Sequence, residues 1–285
     1  MDIGIVIGLA LGLACIAISV LLDGGDLGAF VNLSAALITF GGTIGATMVS
    51  TSLKEMLKLP LLVRKALFGG GQIAAESTIS RLVQFAQKAR KEGLLALEGE
   101  IRGGEVHPFL VRGLQLIIDG TDEAGVRNIL DSEIESIRRR HQIGQGIFGT
   151  MGGYAPTMGL IGAILGLIHV LGNLGGTEPE SLGRGIATVF SPLLYGILSA
   201  NILFLPLAGN LRAKSDEELF LHKVMVEGIL GIQAGKNPRI LEQKLRSFFP
   251  ASDTGKTREA VQRSADFLRD GLSLTAEPAQ ARARR

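Results

Sequence analysis

Two predominantly apolar segments, residues 146–172 and 185–208, constrain this chain more than any other feature. Each exceeds the ~20 residues that a helix needs to cross a bilayer, and neither contains a carboxylate. Backbone in lipid must satisfy its own hydrogen bonds, so both segments are expected to be helices. Gly159, Gly162 and Gly166 fall on one face of the first. Small residues at that spacing let another helix approach without side chains in the way, and close packing alone accounts for them.

Two further apolar runs precede these. Residues 3–22 carry Gly4, Gly8 and Gly12 at four-residue spacing, and residues 28–50 carry Gly41 and Gly45. Asp23, Gly24, Gly25 and Asp26 form a turn between them. The N-terminus, MDIGIVIG, has no basic stretch and no small-residue cleavage pattern after the apolar run, so a retained membrane helix is expected rather than a signal peptide. Asn32, near the outer end of the second run, reads as a solvated interfacial residue. Mean hydropathy is +0.33 and Trp is absent, which suits a membrane protein, yet 20% of residues are charged, so a large part is wet. A net charge of +2 gives no case for nucleic acid. The single cysteine, Cys15, has no internal disulfide partner and reads as a small core residue. No metal or redox motif is present.

Flanking charge sets the expected topology. Lys54, Lys58, Arg64 and Lys65 follow the second run, Arg138 to Arg140 precede the third, and Arg212 and Lys214 follow the fourth. The short turns carry Asp23, Asp26, Glu178 and Glu180, opposed only by Arg184. Basic residues stay on the cytoplasmic side, which places the long loop and both termini there. The expected architecture is an all-α integral membrane protein. It has four transmembrane helices, a helical cytoplasmic domain between the second and third, and long cytoplasmic extensions of the third and fourth. The divisions are 1–50, 51–145, 146–208, 209–250 and a tail, 251–285.

The loop is patterned as structure, not linker. Ile79, Leu82, Val83 and Ala86 form a helical stripe that ends in Lys88, Arg90, Lys91 and Gly93. A shorter helix covers about 106–118. Thr121, Asp122 and Glu123 cap a helix whose apolar face is Val126, Ile129, Leu130, Ile134 and Ile137. No proline interrupts 122–155, so that helix is expected to run into the third crossing. The fourth should continue through the amphipathic 209–234. Asn237 and Pro238 then start a last helix with Leu241, Leu245 and Phe248 as its apolar stripe. The tail is rich in Ser, Thr, Ala and charge and is expected to be mostly disordered. Its GKT, 255–257, lacks the upstream glycine of a phosphate loop.

No Ser–His–acid, metal or nucleotide arrangement can be assembled, so an enzyme is not expected. Ion-coupled membrane machines keep a carboxylate at membrane depth, and the four runs hold none. Only His169 titrates there, near the outer end of the third, where an interfacial hydrogen-bonded role suits it better than a proton relay. If this chain moves ions, a partner supplies the acid.

Five stretches carry a resemblance: GGTIGATMVS, ARKEGLLALE, GYAPTMGLIGAILGLIHVL, LYGILSANILFLPLA and EGILGIQAGKNPRILEQKL. In order and topology, residues 1 to about 250 resemble the MotA/PomA family, the channel-forming subunits of the bacterial flagellar stator. The resemblance implies a homo-oligomeric ring of five copies in the inner membrane around two MotB-type, peptidoglycan-anchored subunits that carry the ion-binding aspartate. It implies no cofactor, and cytoplasmic loops that push on the rotor's switch-complex protein FliG. By position, Arg90 and Glu98 match the charged residues that engage the rotor; alone they would read as solvated surface. Pro156 and Pro206 match the prolines that couple ion passage to movement. Ala163 matches the pore side. Most members have a threonine where Leu193 stands, and Pro192 before it is unusual and kinks the fourth helix in this reading. Sodium-type members place threonines at the positions of Ala163 and Leu193. Neither residue here has a side-chain oxygen, and Thr188 and Ser191 compensate only in part, so H+ is favoured over Na+. The alternative is an ExbB/TolQ-like proton-channel subunit, a family with three crossings and its cytoplasmic domain after the first.

Overall fold

The computed structural model describes residues 3–25, 27–68, 75–103, 106–173 and 179–249. Asp26, Glu178, the GKT and the tail from 251 onward lie outside the described residues. Among the described residues every regular element is helical. In chain order they are α1 (Ile3–Leu22), α2 (Leu33–Ser50), α3 (Leu53–Met56), α4 (Leu59–Phe68), α5 (Ala75–Glu92) and α6 (Leu97–Gly103). Then follow α7 (Pro108–Ile118), α8 (Glu123–Gly172), α9 (Pro179–Val189), α10 (Ser191–Leu198), α11 (Leu205–Gln233) and α12 (Pro238–Arg246). Two π-helical turns interrupt the ladder, Leu37–Gly41 inside α2 and Ser199–Phe204 between α10 and α11.

Among the described residues three stretches are long and apolar enough to cross a membrane: Leu33–Ser50, the apolar part of Glu123–Gly172 and that of Gly185–Gln233. Val6–Leu22 is a shorter apolar helical stretch. The chain divides into two compact units. One comprises Met1–Gln72 with Ser132–Phe220; the other comprises Ile73–Asp131 with Leu221 onward.

The first unit has a core of Met56, Ile147, Phe148, Met151, Ala155, Ala200, Phe204 and Leu207. Leu59, Leu62 and Val63 of α4 pack against it. Cys15 is exposed on α1, not a core residue as its apolar setting suggests. A residue surrounded by apolar sequence in a membrane helix need not face protein, because lipid is equally apolar.

The second unit is built as its patterns predict. Ile79, Leu82 and Ala86 of α5, Val126 and Leu130 of α8, and Leu241 and Leu245 of α12 are all buried. Gly93 closes α5 at φ +86°, a conformation that favours glycine. Gly235 ends α11 at φ +63°, and Asn237 then caps α12, its side chain accepting from the Arg239 amide at 3.0 Å. Two stripe members depart from their patterns. Ile129 is 44% exposed and Phe248 38% exposed. Ile129 sits between Val126 and Leu130 at the edge of the α8 stripe, and Phe248 lies past the end of α12, where helical spacing no longer aims it inward.

Candidate functional site

The small-residue face of α8 is used at backbone contact. A Cβ added to Gly159 would stand 2.5 Å from the Pro192 carbonyl oxygen and 3.0 Å from Leu193 Cα. One on Gly162 would stand 2.7 Å from Pro192 Cβ, and one on Gly166 3.2 Å from Val189 Cγ2. The contact is reciprocal: a Cβ on Gly196 would collide with the Ala155 carbonyl and lie 3.0 Å from Pro156 Cα. At Gly159 and Gly196 the opposing atoms are backbone, so a side chain there would require a shift of backbone.

The break between α9 and α10 lies against this face. It falls at Phe190, φ −82°, ψ −11°, two residues before the proline expected to kink the helix. Pro192 takes the second position of α10, where a missing N–H is tolerated, so the ladder opens on its N-terminal side. The Phe190 amide turns back to the Ala187 carbonyl at 3.3 Å, and the Leu194 amide resumes the helix on the Phe190 carbonyl at 3.0 Å. Ser191 is 5% exposed and Ala163 7% exposed, whereas Leu193 is half-buried and Thr188 exposed. Ser191 and Leu193 flank Pro192, and Ala163 lies one turn from Gly159, which meets Pro192 and Leu193. Thr188 is on the N-terminal side of the break.

α2 fastens this region, through residues that the sequence reading missed. Thr39, Thr43 and Thr47 are essentially inaccessible. Thr39 Oγ1 donates to the Pro192 carbonyl at 3.1 Å, Thr47 Oγ1 donates to the Thr43 carbonyl at 2.7 Å, and the Thr43 hydroxyl likewise donates to the Thr39 carbonyl. Threonines at i, i+4 and i+8 in an apolar run were the available signal. Tyr195 adds a second fastening: its hydroxyl donates to the Phe30 carbonyl and accepts from the Asn32 amide at 2.9 Å, and its ring stacks on Phe40. Asn32, partly exposed, caps α2, with its Oδ1 accepting from the Ala35 amide at 3.1 Å. Gly42 meets the Met158 side chain, whereas Gly41 and Gly45 face open space within the chain.

Pro156 lies half-buried inside the continuous α8, and its missing N–H leaves the Gly152 carbonyl without its helical donor. A Cβ on Gly152 would stand 2.5 Å from the Leu205 side chain, and Leu205 immediately precedes Pro206. Pro206 itself is exposed and lies two residues past the end of the second π-helical turn. The two prolines therefore flank one helix–helix contact. His169 is exposed, and its carbonyl accepts from Asn173 Nδ2 at 2.8 Å.

In the other unit Arg90 is exposed at the end of α5 and Glu98 is half-buried at the start of α6. The turn joining them is held by Leu97, fully buried, and by a bridge from Lys88 Nζ to Glu100 Oε1 of 2.8 Å. Hydrogen bonding to Glu100 raises the Lys88 pKa, and hydrogen bonding to Lys88 lowers that of Glu100.

A sequence profile of the MotA/TolQ/ExbB proton channel family matches residues 103–223. The chain is 38% identical to motility protein A of Bacillus subtilis over 91% of its own length and 95% of that protein's. It is 33% identical to the chemotaxis protein PomA of Vibrio alginolyticus over 87% and 95% of the two chains. The chain belongs to the motility protein A family. These are channel-forming subunits of the flagellar stator. Its fold matches the flagellar MotAB stator complex of Bacillus subtilis with a TM-score of 0.83 at 37% identity, covering 88% of this chain and 98% of that one. MotAB of C. jejuni matches with a TM-score of 0.82 at 30% identity, covering 88% and 97%.

Proposed function

We propose that this chain builds, with a MotB-type peptidoglycan-anchored partner, the proton channel of a flagellar stator and converts proton flow into torque. The observation that carries the reading is a channel-family chain whose apolar segments, 3–22, 28–50, 146–172 and 185–208, contain no Asp or Glu. A conducting ion at membrane depth needs a counter-charge, so the acid comes from another chain. In this reading the chain crosses the inner membrane four times with both termini cytoplasmic, and 51–145 and 209–250 are cytoplasmic. Five copies ring two partners. Arg90 and Glu98 meet FliG on the rotor, Pro156 and Pro206 couple ion passage to movement, and Ala163, Thr188, Ser191 and Leu193 border the ion path. The flanking of one helix contact by both prolines supports the coupling role. The TolQ/ExbB-type alternative shares the family profile, but near-full-length identity to motility protein A and PomA favours the stator.

Co-expression with a MotB-type partner tests the assembly. The expected result is a detergent-stable complex with several copies of this chain per partner pair. A monodisperse monomer that ignores the partner would refute it.

A further inference from the structure

α10 is only eight residues long, and its backbone is loosened at both ends. The break at Phe190 precedes it, and the second π-helical turn, Ser199–Phe204, follows it. Pro192 has no N–H, so the Thr188 carbonyl lacks its helical donor and the ladder from α9 is interrupted. The face that α10 turns to α8 is smooth. Gly159 of α8 meets the Pro192 carbonyl and Leu193 Cα, and Gly196 of α10 meets the Ala155 carbonyl and Pro156 Cα. Backbone on backbone fixes how near two helices come, but it offers little interlocking to fix their register along the axis.

That register is set from α2. α10 packs on the first π-helical turn, Leu37–Gly41, and on the turn before it, Leu33–Ala36. Thr39 lies within the π-helical turn, a feature that recurs at functional sites. It is 0% exposed, and its hydroxyl crosses to the Pro192 carbonyl at 3.1 Å. Thr43 and Thr47, equally buried, settle on carbonyls of their own helix, so burial of a threonine does not by itself call for a bond between helices. Three residues beyond Pro192, Tyr195 adds its ties to the Phe30 carbonyl and the Asn32 amide. The Thr39 bond grips the one residue that stands between Ser191 and Leu193. We infer that Thr39 is a positioning residue of the ion path: its hydroxyl fixes Pro192 and thereby holds Ser191 and Leu193 in register with Ala163 across the α8–α10 contact. Thr39 itself touches no ion. Without its donor α10 is free to slide on the glycine face, which changes how a proton reaches the partner's acid and not how many complexes assemble.

The inference rests on the reading that Ala163, Ser191 and Leu193 border the ion path. Its test is current through the full complex of this chain with its MotB-type partner, against proton activity at fixed membrane potential, scaled to the amount of complex in the membrane. Thr39→Val keeps the shape and removes the donor, and Thr39→Ser keeps the donor. Thr43→Val removes an equally buried hydroxyl that bonds within α2. Thr39→Val is expected to move the half-maximal proton activity by about fivefold, the effect that one hydrogen bond has on an equilibrium. Thr39→Ser and Thr43→Val are expected to keep the wild-type value. A merely structural role would lower the amount of complex and leave that value in place. A wild-type value for Thr39→Val overturns the inference, and so does an equal shift in Thr43→Val. Should Thr39→Val fail to assemble, Tyr195→Phe carries the test, because it loses the second tie and keeps its ring on Phe40. It too is expected to move the half-maximal activity, and a wild-type value overturns the inference. Leu193→Phe adds bulk at the path and leaves Thr39 in place; wild-type current from that variant would refute the ion-path reading and not the tie.

Discussion

A threonine buried in an apolar helix usually settles its hydroxyl on the carbonyl one turn earlier, and Thr43 and Thr47 do so. Thr39 instead spends its hydroxyl on the Pro192 carbonyl, tying α2 to the segment just past the helix break. The family match says nothing of this tie; it follows from one side chain and one carbonyl. Arg90, exposed at the end of α5, differs in kind. Surface charge changes alter stability by less than ~0.5 kcal/mol, whereas steering between proteins depends on complementary charge. Arg90→Glu should therefore impair motility at normal membrane levels, and more so when combined with Glu98→Lys. Swimming assays with immunoblotted membranes check this, and unimpaired swimming of the double variant removes the rotor role. At this scale local chemistry was legible: Gly93, Asn237 and Pro238 occupy the positions that their types predict. Cys15 was not, since its burial depends on which neighbour the chain brings, and a single apolar run does not encode that.

At the scale of elements, α8 persists through Pro156, although a proline inside a helix costs ~3 kcal/mol or more. The contact of Gly196 with the Ala155–Pro156 backbone helps to hold that turn in place. The glycine face predicts a contrast. Gly159→Ala puts a methyl against the Pro192 and Leu193 backbone, whereas Gly153→Ala, with no atom within 4 Å of its Cβ, meets open space in the chain. Overpacking costs ~1–3 kcal/mol, so Gly159→Ala should lower the thermal midpoint of the purified chain and Gly153→Ala should leave it nearly unchanged. Equal midpoints would mean that α8 and α10 do not approach as described. In the other unit Glu227 of α11 joins Arg127 of α8 and Lys244 of α12. Hydrogen bonding to Lys244, then to Arg127, lowers its pKa from the usual 4.5. A depressed carboxylate stabilises the fold above its unfolded value and loses that contribution as pH falls through the folded one. Wild type should therefore outlast Glu227→Gln in thermal melts at neutral pH, and the difference should shrink progressively below pH 4.5. A difference that stays constant with pH would show that the pair contributes nothing electrostatic. The helix order itself was legible from periodicity and caps. The break at Phe190 was displaced by two residues, because proline disturbs the turn before it and sequence marks only the proline.

For the whole molecule the open quantity is the ion, and composition at depth decides the expectation. Sodium must exchange its hydration shell for several oxygen ligands, and an under-coordinated ion in a low-dielectric site is costly. A proton needs only an acceptor and a chain of waters or hydroxyls. Around the α8–α10 contact the chain offers Ala163 and Leu193, which have no side-chain oxygen, and Ser191, whose hydroxyl is largely buried. Thr188 is exposed on the N-terminal side of the break, and Thr39 is wholly buried with its hydroxyl directed at the Pro192 carbonyl. That inventory is thin for a sodium shell and sufficient for a proton passing to a partner's aspartate. The measurement is current through the complex, or swimming speed, against sodium concentration at fixed pH and membrane potential. Rates should be flat in sodium and collapse with a protonophore. A steep, saturable sodium dependence that survives the protonophore would reverse the assignment. It would also make Thr188 and Ser191, on either side of the break, the oxygens to replace first: Thr188→Val and Ser191→Ala should then each raise the sodium concentration needed for half-maximal speed.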